Sequence, residues 1–135
     1  MKKKKILIID DDEMTRILFR DIFWIHGARQ ATFDVTAVDS LRKAREALKE
    51  PELPDVIFLD LSFTPGRRIL RDAEPAVTFI KEVRSDQKLA HIPIVVFSGF
   101  DERELKEVVQ GAGANRYLVK GEQTPKELVD FVLAL

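Results

Sequence analysis

ILIIDDDEMTR, residues Ile6–Arg16, sets four consecutive apolar side chains directly against Asp10, Asp11, Asp12 and Glu13. Three of the four apolar residues are β-branched, and an unbroken run of this kind reads as a strand buried on both faces. Ending it on adjacent acids is costly: at about 4 Å and an effective dielectric of about 20, each like-charged pair costs about 4 kcal/mol. Two readings follow. One is a solvated turn with an acidic helix N-cap; the other is a cation site.

Runs of strand length recur at Val56–Asp60 (VIFLD), Ile92–Ser98 (IPIVVFS) and Arg116–Lys120 (RYLVK), with a weaker one at Thr32–Val38. Helical periodicity fills the intervals. Met14–His26 carries Ile17, Leu18, Ile22 and Ile25, with Phe19 and Phe23 beside them. Leu41, Ala44 and Leu48 mark a second helix, and Val77, Ile80 and Val83 a third. Leu105, Val108 and Val109 give a fourth, and Leu128, Val129 and Val132 a fifth. Gly27, Pro51, Pro54, Gly111, Gly113 and Pro125 punctuate these segments. The pattern is (βα)5, an α/β doubly wound parallel sheet of five strands with helices on both faces. Trp24 and Ile25 are expected to add to the packing of the first helix.

The chain has 135 residues, so one domain spanning 1–135 is expected, without an output domain. A net charge of −1 argues against a generic nucleic-acid binder. The basic run Lys2–Lys5 reads as a solvated flank of the first strand. With no cysteine, disulfides, thiolate metal sites and a Cys nucleophile are excluded. No apolar run is long enough to span a bilayer and no signal peptide is evident, so a cytoplasmic protein with no membrane partner is expected.

In open parallel sheets, ligands bind beyond the carboxyl ends of the strands where the strand order reverses. With the flavodoxin-like order 2-1-3-4-5, that point lies between strands one and three. Asp10 and Asp11 end strand one and Asp60 ends strand three, so acids from two distant parts of the chain converge. A solvated turn does not account for Asp60; the cation reading leads. Hard oxygen donors without His or Cys suit Mg²⁺. Ser98 ends strand four and Lys120 ends strand five. Three acids, a hydroxyl and an ammonium on one edge form a phosphoryl-handling set, in which one carboxylate can be the covalent acceptor. Asp12 and Glu13 are left for helix capping.

The segments ILIIDDDEMTR, DVIFLDLS, IPIVVFSG and GANRYLVK resemble, in order and spacing, the four signature segments of bacterial response-regulator receiver domains, over essentially the whole chain. The resemblance implies that Asp60 is a phosphoacceptor, served by a histidine kinase or a phosphotransfer protein. It implies Mg²⁺ held by Asp11, Asp60 and the backbone carbonyl of Ser62, with Asp10 acting partly through water. Ser98 and Lys120 would bind the phosphoryl group, and Tyr117 matches the family's aromatic switch position. The fourth helix, fifth strand and fifth helix would present the output face to a downstream protein. Such a chain is not an enzyme in the ordinary sense; it accepts phosphate and can lose it again to water.

The sequence departs from the family at two points. Gly121 follows Lys120 where proline is usual, and Thr64 replaces a proline, with Pro65 one place later. The connection Leu61–Ala73 is long, rich in Arg67, Arg68 and Arg71, and is expected beside the acidic pocket. The rival class is a receiver-fold interaction module that is never phosphorylated. A flavin-binding or haloacid-type enzyme is third: the first lacks a phosphate-cradling loop after strand one, and the second would place its nucleophile there.

Overall fold

The computed structural model describes residues 2–27, 31–61 and 73–135. Ser62, Thr64, Pro65 and the arginines of the long connection lie outside the described residues. Among those described, five strands and five helices alternate: β1 (Lys2–Ile9), α1 (Glu13–Gly27), β2 (Ala31–Val38), α2 (Leu41–Ala47), β3 (Val56–Leu59), α3 (Glu74–Ser85), β4 (Ile94–Ser98), α4 (Arg103–Ala112), β5 (Arg116–Val119) and α5 (Pro125–Leu133). The strands form one parallel sheet in the order β2-β1-β3-β4-β5.

Alternation along β1 divides the interior in two. Ile6 and Ile8 join Phe19 and Phe23 of α1, Phe58 and Val95 of the sheet, and Leu128, Val129 and Val132 of α5. Leu7 and Ile9 point the other way, toward Ala44, Phe79, Ile80, Val83, Leu105 and Val109 on α2, α3 and α4. Every residue of β3 is buried, which is why these strands read as continuous apolar runs rather than alternating ones.

Two expectations change. The basic run is not a flank but four residues of β1, in register with β2 from Lys2 opposite Ala31 to Ile9 opposite Val38. The ladder is made by main-chain groups, indifferent to side-chain charge, while lysine stems lie along apolar surface. Lys4 is buried, and the Lys5 ammonium donates to the Glu52 carbonyl at 2.8 Å. Trp24 and Ile25 do not extend the core. The row Phe19, Phe23, Gly27 faces the sheet, and at 3.6 residues per turn Trp24 and Ile25 project away from it; they are 79% and 63% exposed.

Local chemistry fixes the helix starts. The Asp12 carboxylate accepts from the Thr15 N–H at 3.2 Å and the Thr15 hydroxyl at 2.6 Å, the capping role expected of it. Thr124 and Glu127 form a reciprocal capping box, with Pro125 in the first turn of α5.

Candidate functional site

Asp10 and Asp60 sit one residue past β1 and β3, and the Asp60 N–H donates to the Ile9 carbonyl at 2.9 Å, continuing the sheet to its edge. Both carboxylates are buried, whereas Asp11 is exposed. Carboxylate oxygens of Asp10, Asp11 and Asp60 lie within 4.8 Å of one another. The sheet thus brings together the three acids expected from the sequence.

The Lys120 ammonium reaches into the same cluster. It donates to Asp10 Oδ2 at 2.6 Å and to Asp60 Oδ1 at 3.4 Å, so its tighter partner is Asp10. It also lies 5.8 Å from the centre of the Phe97 ring. Gly121 turns the chain directly after Lys120 with φ +90°, a conformation costly for residues with a Cβ. The Lys120 N–H donates to the Ser98 carbonyl at 2.8 Å, so the lysine is placed by the sheet ladder without a proline after it.

Burial pushes the Asp60 carboxyl up to about 7; Lys120 opposes that rise, and the neighbouring charge of Asp10 adds to it. Asp11 is also raised, by partial burial and then by Asp10. For Lys120, burial acts to lower the ammonium, but Asp60 and the bond to Asp10 outweigh it and the net shift is upward. One ammonium therefore serves two buried acids. Three crowded hard-oxygen donors, with no nitrogen or sulfur donor among them, fit a small divalent cation such as Mg²⁺.

Ser98 is fully buried, and its hydroxyl oxygen accepts from the Phe100 N–H at 3.1 Å. It does not cap α4, whose N-cap is Glu102. The Tyr117 hydroxyl donates to the Phe100 carbonyl at 2.6 Å. Burial pushes that phenol up, against the Ser98 hydroxyl beside it, which acts to lower it. Phe100 thus links Ser98 to Tyr117 through its own backbone, a connection invisible in sequence. Arg16 is the other residue sequence reasoning missed: it donates to the Asp10 carbonyl at 2.8 Å from the first turn of α1. Its only signal was its place one turn after Asp12.

Residues 6–132 match the family described as response regulator receiver domain. The polar-differentiation response regulator DivK of Brucella ovis is 25% identical over 126 residues, covering 91% of this chain and 89% of the relative. A crystal structure of a Chloroflexus aurantiacus protein assigned as a response regulator superposes with a TM-score of 0.75 at 27% identity, covering 99% of this chain and 100% of that one. The phosphorylated cyanobacterial phytochrome response regulator RcpA gives 0.74 at 21% identity, over 98% of this chain and 90% of its own.

Proposed function

The chain belongs to the response regulator receiver domain family, the signalling modules of two-component systems, and from that premise we propose that it is a Mg²⁺-dependent phosphoacceptor switch. The observation that carries the reading is Asp60, a buried carboxylate at the end of β3 beside two further acids and an ammonium. A histidine kinase or phosphotransfer protein supplies the phosphoryl group. The P–N bond of its phosphohistidine, protonated on the other ring nitrogen, breaks as an Asp60 carboxylate oxygen forms the new P–O bond, giving an acyl phosphate and a neutral imidazole.

Asp60 attacks only as the carboxylate, and its burial opposes that form. Asp11 and Asp60, with Asp10 in support, would hold Mg²⁺, which when bound would supply positive charge that favours the ionised acid and offsets charge on the phosphoryl oxygens. Lys120 lies within reach of the same oxygens. Ser98 has a hydroxyl proton to donate to the phosphoryl group, and a shift of Ser98 is felt at Phe100 and so at Tyr117. The output face for a downstream protein is α4, β5 and α5.

The test is intact mass after incubation with acetyl phosphate and Mg²⁺. Wild type is expected to gain one phosphoryl group and Asp60→Asn none. Undiminished labelling of Asp60→Asn moves the acceptor elsewhere, and no labelling of wild type favours a module that works unphosphorylated.

A further inference from the structure

Helix α1 carries an apolar face that the fold leaves uncovered among the described residues. Met14, Ile17, Leu18, Trp24 and Ile25 are 60%, 44%, 56%, 79% and 63% exposed, while Val108 and Leu135 are the other large hydrophobics exposed among those residues. The pattern is palindromic. Ile17 and Trp24, seven residues apart, share one flank of the face; Met14 and Ile25, eleven apart, share the other. The midpoints of the two pairs fall half a residue to either side of Arg20.

We propose that this face docks a second copy of the chain, α1 packing antiparallel on α1 about a two-fold axis at Arg20. An isologous contact requires a patch complementary to itself, and this one is. Ile17 of each copy meets Trp24 of the other on one flank, and Met14 meets Ile25 on the opposite flank. At about 100 Å² or more per side chain, the five residues offer roughly 500 Å² of apolar surface per copy. With a polar rim, that approaches the roughly 800 Å² per partner of a stable interface. The polar residues set the register. Asp21 lies between the flanks, so the two Asp21 carboxylates approach one another at the axis. The contact is therefore weak, and it is limited by the acid at its centre.

Sedimentation velocity of the full chain without phosphodonor, from about 1 μM to about 1 mM, tests this. The mass is expected to rise from 15.5 kDa toward twice that value. Emission of Trp24, the single tryptophan, is expected to shift to shorter wavelength over the same range. Trp24→Asp and Ile25→Asp each move the midpoint up about tenfold or more, with circular dichroism unchanged because both sites are exposed. Asp21→Asn moves it down several-fold, since it removes the like-charge pair. A monomer at every concentration overturns the proposal and leaves the face to a different protein. A dimer indifferent to both apolar substitutions overturns it too, and Asp21→Asn without tighter association overturns the antiparallel arrangement.

Discussion

Asp60 is a carboxyl that the fold holds protonated to about pH 7. Between its ordinary value of 3.8 and that raised value, the folded protein binds a proton that the unfolded chain has released. Stability from this group is therefore complete below pH 3.8 and is lost as the pH rises through 7. Metal-free protein is expected to melt several degrees lower at pH 8 than at pH 5, and Asp60→Asn to flatten that slope. Melting curves across pH in chelator, wild type against variant, check it; equal slopes count against a raised Asp60. Lys120 gives a complementary prediction. Lys120→Met leaves Asp10 buried without its 2.6 Å partner, and removing one member of a buried pair costs about 3 kcal/mol. Urea unfolding reads this directly, and a loss below about 1 kcal/mol would mean that solvent, rather than Lys120, satisfies Asp10.

At the scale of elements, two joints carry more than their length suggests. Gly27 ends α1 against the Phe33 ring of β2, and an added Cβ would fall inside that ring's contact surface. Gly27→Ala is expected to cost about 1–3 kcal/mol by overpacking, and Gly27→Ala with Phe33→Leu to recover most of it in the same unfolding assay. Arg84, at the end of α3, donates to the carbonyls of Gly113, Ala90 and Ile92 and to the Asn115 side chain, at 2.6–3.1 Å. Arg84→Met strands those acceptors and is expected to cost about 2–4 kcal/mol. Its amide exchange should quicken first around Ala90–Ile94 and Gly113–Asn115.

Neither joint was legible beforehand, because each depends on which distant backbone atom a side chain reaches. The strands were legible because burial on both faces writes itself as an apolar run, as in VIFL of β3. The lysines of β1 escaped for the converse reason: a ladder needs only peptide groups. The site divides in the same way. Asp10, Asp60, Ser98 and Lys120 could be placed because strand ends and strand order fix them. The tighter bond of Lys120 to Asp10, and the Phe100 backbone between Ser98 and Tyr117, depend on rotamers that no spacing records.

For the molecule as a whole, the sheet separates two interiors assembled from different parts of the chain. One is closed by α2, α3 and α4, which follow one another along the sequence. The other needs α1 and α5, which begin at Glu13 and Pro125. On the ribosome this difference becomes one of time. At about 5–20 residues per second, α1 waits on the order of 5–20 s for the helix that completes its shelter. Once β3 and β4 are made, Phe19, Phe23 and Phe58 have a sheet beneath them and no lid until α5 follows, so the nascent chain presents an aromatic surface absent from the finished protein. The half of the fold begun first is the half finished last, and a chaperone that binds aromatic surface meets this chain on the α1 side.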